Sequence, residues 1–119
     1  MKIILPGLPP SKKNSRIIIC RASRPLVLPS KNYQLWRVEM LWLLKKYKPI
    51  RTEIASITAT FFCPTKRLKW DLSNKWESVG DILVDADILP DDSVAVIPRL
   101  TLIFGGTDRE CPRVEVDIV

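Results

Sequence analysis

The alternating run from Glu53 to Cys63 constrains the fold most. Ile54, Ser56, Thr58, Thr60 and Phe62 alternate with Ala55, Ile57, Ala59 and Phe61. On an extended chain successive side chains point to opposite faces, so this stretch reads as a strand. Pro49 lies before it and Pro64 after it, and both break regular structure. A single strand of this kind is stable only inside a sheet that other elements cover.

Those other elements are visible in the pattern. Lys2 to Leu5 reads as a short strand and Arg16 to Arg21 as a second, β-branched one. Pro25 and Pro29 bracket Leu26-Val27-Leu28, which limits that segment to an edge strand or an extended stretch. Ser30 suits the N-cap of a helix running to about Lys48, with Leu35, Val38, Leu41 and Trp42 on one face. Lys45, Lys46 and Lys48 suit its C-terminal dipole. A second helix spans about Leu72 to Asp87. Val94 to Phe104 reads as a strand that Pro98 restricts to an edge or a bulge, and Arg113 to Val119 is the last strand. The order is roughly ββαβαββ: an α+β domain with a small mixed β-sheet and two helices packed on one face. At 119 residues and 46% hydrophobic content, residues 1–119 form a single domain.

Composition removes several chemistries. The chain has no histidine, so histidine triads and histidine bases are excluded. Cys20, Cys63 and Cys111 form no CxxC pair, which leaves zinc without a ligand set and reads as reduced thiols in a cytoplasmic protein. The opening MKIILPGLPP is too short and too interrupted for a signal peptide. Met40 to Leu44, the longest apolar run, is too short for a membrane span, so no membrane partner is expected.

Charge is segregated along the chain. From residue 1 to 52 there are twelve Lys or Arg and one acid, Glu39; from Asp71 to Asp92 there are seven acids and one base, Lys75. The net charge is +6, which favours a polyanionic partner. A basic half beside an acidic cluster fits either a nucleic-acid surface around a cation site or an internal salt-bridge network. On a helical projection of residues 71–87, Asn74, Glu77, Ser78, Asp81 and Asp85 share one stripe. Leu72, Trp76, Val79, Leu83 and Ala86 lie nearly opposite. Like charges at i and i+4 cost roughly a few tenths of a kcal/mol per pair, and a cation relieves them. Mg²⁺ takes hard oxygen ligands and keeps several waters, and Mn²⁺ can substitute. Pro90 then turns the chain so that Asp91 or Asp92 can approach Asp71. The blander alternatives are a capping box of Asn74 with Glu77, an N-cap at Asp71 and turn residues at Asp91 and Asp92.

Two further segments are basic. Lys12, Lys13, Asn14 and Arg16 form a loop able to grip phosphates, and Lys66, Arg67 and Lys69 directly precede Asp71. Trp36 and Trp42 read as core, whereas Trp70, between the basic loop and Asp71, is the one placed to stack on an unpaired base.

Three stretches resemble the RusA-like family of Holliday junction resolvases: Leu8-Pro9-Pro10-Ser11-Lys12-Lys13-Asn14; Asp71-Leu72-Ser73-Asn74 with Glu77 and Asp81; and Asp91-Asp92 after an Ile-Leu-Pro turn. The likeness runs from residue 8 to about residue 104. It implies a homodimer that binds four-way DNA junctions and nicks opposing strands with Mg²⁺, in DNA recombination and repair. Asp71 resembles the first metal-binding aspartate and Asp92 the third, with Asp91 beside it; Asn74 and Asp81 match the family's Asn and helix Asp. Two positions depart: Ser73 replaces an aspartate and Glu77 a catalytic lysine. Glu77 is then expected as a substitute ligand, with Asp71, Asp92 and Glu77 catalytic and Ser73, Asn74, Lys75 and Asp81 supporting. Lys75 or Lys69 is expected to supply the displaced positive charge. The departures also suit a junction-binding module of the same fold that does not cut. A third alternative is a protein-interaction domain with a solvated acidic helix.

Overall fold

A computed structural model describes residues 1–11, 16–21, 24–29, 31–54 and 56–119. In chain order the elements are β1 (Lys2–Pro6), β2 (Arg16–Arg21), β3 (Arg24–Pro29), α1 (Lys31–Leu44), β4 (Ile57–Cys63), α2 (Leu72–Asp85), β5 (Leu100–Thr107) and β6 (Arg113–Ile118). The main sheet is four-stranded and mixed, ordered β1-β6-β4-β5. β6 runs antiparallel to both β1 and β4, whereas β4 and β5 are parallel. A parallel pair needs a crossover, and α2 provides it. β2 and β3 form a separate two-stranded antiparallel sheet, so the Pro25–Pro29 segment is an edge strand there.

The alternation in β4 decides which way the sheet faces. Ile57, Ala59, Phe61 and Cys63 are buried, and their partners in register include Ile118, Val116 and Val114 of β6. Ile3 and Leu5 of β1 extend the same face. Met40 and Leu44 of α1 and Val79, Ile82 and Leu83 of α2 close over it in one core. The other sheet face is polar and tied by charge. Lys2 Nζ lies 2.6 Å from Glu115, and Arg113 bridges Glu115 and Asp108 while its guanidinium lies 3.9 Å from the Phe62 ring centroid.

Four boundaries differ from the sequence expectation. β4 begins at Ile57, not Glu53. α1 ends at Leu44 rather than Lys48, leaving Lys45 to Lys48 in a turn. The strand expected from Val94 starts only at Leu100, because Val96 and Ile97 donate backbone hydrogen bonds to the Ser93 carbonyl and curl that stretch into turns. α2 stops at Asp85. Asp87 sits at φ 60°, Asp87 N–H donates to Val84 O, and Ile88 N–H donates to Leu83 O. That is a Schellman end, with a left-handed residue just past the helix and an apolar contact between Ile88 and Leu83. Asp87 therefore ends a helix; it is not part of the acidic face.

The expected apolar face of α1 is corrected. Tyr33, Met40 and Leu44 point inward, and Trp36 packs partly against the core. Leu35, Val38 and Trp42 remain 63%, 66% and 68% exposed. The helix is apolar on two sides, so periodicity alone could not say which side the sheet takes. Trp42 is accordingly a surface residue, whereas Trp36 has the packed position expected of it.

Two outcomes follow. A left-handed conformation costs a non-glycine residue about 1 kcal/mol, so Asp87→Gly should raise the melting temperature by a few degrees and Asp87→Val should lower it. The Lys2 ammonium, with Arg113 adding to it, holds the Glu115 carboxyl below its ordinary value of 4.5. A lowered folded value means the stabilisation is present above 4.5 and lost as pH falls through the lowered value. Glu115→Gln should therefore flatten the acid limb of a pH–stability curve.

Candidate phosphate-binding cavity at the start of the second helix

Asp71 occupies the N-cap position of α2 with extended backbone angles, yet its carboxylate makes no capping bond. Asn74 Nδ2 donates to Asp71 Oδ2 instead, at 3.2 Å. The carboxylate stays exposed and is oriented by Asn74. A capping box of Asn74 with Glu77 does not form, because the helix begins two residues before Asn74, at Leu72, and its N-cap is Asp71.

Around Asp71 lies a cavity of about 400 Å³ lined by Pro10, Ser11, Asn32, Lys69, Trp70, Asp71, Asn74 and Lys75. Three separate parts of the chain meet there: the loop after β1, the start of α1 and the start of α2. Ser78 fixes the first of these. It is fully buried, and its hydroxyl donates to Pro10 O at 2.6 Å. Sequence reasoning put Ser78 on the polar stripe; the structure puts it inward, as a tether for the proline loop. Lys75 is half-buried, and burial pushes its ammonium below the ordinary lysine value of 10.5. Lys69 stands exposed at the rim, next to Lys66 and Arg67 on the same loop. The unpaired N–H groups of a helix start and two lysines make this opening favourable for an anion.

Trp70 forms the wall between this cavity and a smaller apolar one of about 210 Å³, lined by Leu68, Trp70, Leu72 and Phe104. Its ring meets Phe61 at 6.3 Å and, edge-on, Phe104 at 5.8 Å between centroids. The indole N–H is buried without a partner in the structure. Trp70 is thus anchored in the core and shows only part of itself to either cavity. The apolar cavity went unforeseen, since Phe104 and Leu68 are far apart in sequence.

The acids do not all gather. α2 has fourteen residues, about 21 Å at about 1.5 Å per residue. Asp71 stands at one end, where β4 finishes. Asp91 and Asp92 follow the other end, where Pro90, Ala95 and Val96 line a cavity with residues 50–54 ahead of β4. Asp91 acts as a turn residue: hydrogen bonds from the Ser93 side chain and from Asp92 N–H, the latter 2.8 Å long, hold its carboxyl below the usual aspartate value. Glu77 and Ser73 are exposed on α2. Asp85 pairs with Arg37 of α1 at 3.1 Å, and Asp81 also has a partner. Asp85 therefore receives compensation from α1, which the reading of α2 alone had not seen. Among the described residues, no three His, Cys, Asp or Glu side chains come together as a metal-sized group. Lys12, Lys13 and Asn14 fall outside the described residues, and of Arg16 only its place in β2 is described.

Neither protein-family models nor curated proteins match this chain. Among the described residues no helix is long and apolar enough to cross a membrane. The setting of Lys75 has a direct readout: a nitrogen-detected NMR titration should find its ammonium deprotonating below 10.5, and titration at or above that value would contradict its half-buried position.

Proposed function

We propose that the protein is a structure-selective endodeoxyribonuclease that binds branched DNA and nicks it in pairs, as the RusA-like resemblance implies. The observation that carries this reading is the meeting at one cavity of two stretches about sixty residues apart in sequence, Pro10-Ser11 and Asp71 to Lys75. Pro10-Ser11 and Asp71 to Asn74 both belong to the resemblance. In this reading Lys69 and Lys75 hold backbone phosphates, with Lys66 and Arg67 extending the track. Asn74 keeps the Asp71 carboxylate turned to the opening. Mg²⁺, or Mn²⁺ in its place, is the cofactor the reading requires, with Asp71, Asp91, Asp92 and Glu77 as its proposed ligands. A homodimer supplies the two cuts, since a four-way junction and a two-fold dimer share their symmetry.

The departures at Ser73 and Glu77 favour a second reading, a DNA-binding module that does not cut, and among the described residues no three metal-ligating side chains gather. The two separate cleanly on labelled four-way junctions. The nuclease reading expects symmetric nicking in Mg²⁺ or Mn²⁺ that Asp71→Asn and Asp92→Asn abolish while leaving junction binding within a few-fold. Tight, steeply salt-dependent binding with no nicking in either metal would establish the module instead. No binding at all would dismiss both.

A further inference from the structure

β5 ends the main sheet, and among the described residues no strand pairs with its outer edge. Its sequence, LTLIFGGT, holds neither a charge nor a proline, the residues with which natural sheets commonly guard a free edge. A guard sits at one end only. The register against β4 skips from Phe104 to Gly106, and Gly106 has φ 116°. A bulge bends its strand, so the straight open edge is Leu100 to Phe104.

Alternation decides what that edge offers. Ile57 N–H donates to Arg99 O, so Arg99, Thr101 and Ile103 turn their backbone groups to β4, and Leu100, Leu102 and Phe104 turn theirs outward. The same three residues stand in register with Ile57, Ala59 and Phe61, on the core face of the sheet. Residues on a core face are ordinarily covered, yet Leu100 and Phe104 are 39% and 41% exposed. Phe104 also lines the apolar cavity of about 210 Å³ that it shares with Leu68, Trp70 and Leu72. Free backbone groups, core-facing side chains without full cover and room for one bulky side chain therefore lie along one line, as in strand addition to a sheet edge.

We propose that β5 takes up an extended peptide of a partner protein as an added strand, with one bulky apolar side chain in that cavity and acidic residues at both ends. Charge selects this occupant. Leu68 of the cavity wall stands between Arg67 and Lys69, with Lys66 beside them, and Arg99 precedes Leu100 at the far end; all four cations are exposed. Positive charge thus brackets an apolar line of about 13 Å, four steps of about 3.3 Å. A second copy pairing by the same edge would set Arg99 of each chain against Lys66 to Lys69 of the other, like charge against like. A nucleobase would fill the cavity and leave the edge groups unpaired. The docking of a peptide does not rest on the nuclease reading.

Amide hydrogen exchange with two synthetic peptides, DDFTVTVDD and its reverse DDVTVTFDD, tests the docking. In the free protein Thr101 and Ile103 should exchange slowly, and Leu102 and Phe104 fast. One of the two peptides should bind with a dissociation constant on the order of 10 µM and slow exchange at Leu102 and Phe104 about tenfold or more. Which of them binds more tightly gives the direction of the added strand. Replacing its Phe by Ala, or its aspartates by lysines, should weaken binding about tenfold. L68D should do the same from the protein side, whereas V38D, at an exposed site on α1, should leave binding unchanged. Failure of both peptides to bind, or binding that leaves those two amides fast, overturns the proposal. So do Leu102 and Phe104 amides that slow in the free protein as its concentration rises, which would give the edge to a second copy. Oligothymidine that shifts the Leu68 and Phe104 signals while both peptides fail would give the cavity to a base instead.

Discussion

The packing of Val79, Ile82 and Leu83 against the β4–β6 face is the contact on which the rest of this molecule depends. It fixes α2 over the sheet, and the parallel pairing of β4 with β5 is possible only because α2 spans the crossover. It also turns Ser78 inward, where its hydroxyl holds the loop after β1. One apolar surface thereby positions the helix start, the proline loop and the rim of the cavity. Each buried aliphatic side chain of this size contributes about 1.5–3 kcal/mol relative to exposure. The surface ion pairs, Arg37 with Asp85 among them, are worth at most about 1 kcal/mol each.

Polar groups then refine what the core has placed. Asp71 stands where a helix cap belongs, but Asn74 takes its carboxylate away from the backbone. A structural cap would be satisfied by the helix; this one stays turned toward solvent beside a half-buried lysine. Asp87 and Asp91 show the opposite outcome. One ends a helix in a left-handed conformation, and the other accepts hydrogen bonds inside its own turn. Acidic residues close in sequence thus divide by local backbone into one that faces a cavity and others that hold chain geometry.

Much of this was legible before any coordinates. Period-two alternation found β4 and β6, and the apolar spacing in α2 found Val79 and Leu83. Prolines at 25 and 29 marked β3 as an edge. The meeting of the proline loop and the Asp71 stretch at one cavity was not foreseen from the sequence. Other features were hidden for stated reasons. α1 carries apolar residues on two sides, so its moment could not point to the core, and Trp42 was misplaced. Pro98 warned of irregularity, but only the hydrogen bonds to Ser93 show how far the chain curls before β5. Arg37 lies 48 residues from Asp85, and a single-helix projection does not include such a partner.

β6 closes the sheet, and its place in the order has a consequence for synthesis. It lies between β1 and β4, and the amino group of Met1 donates to Ile118 O. A nascent chain emerging from a ribosome therefore exposes β1 and β4 with a gap between them until Arg113 to Ile118 has been made. The strand that joins β1 to β4 is translated after both. Premature termination in that stretch would leave two unpaired strand edges facing each other, a template for aggregation rather than a shortened but working protein.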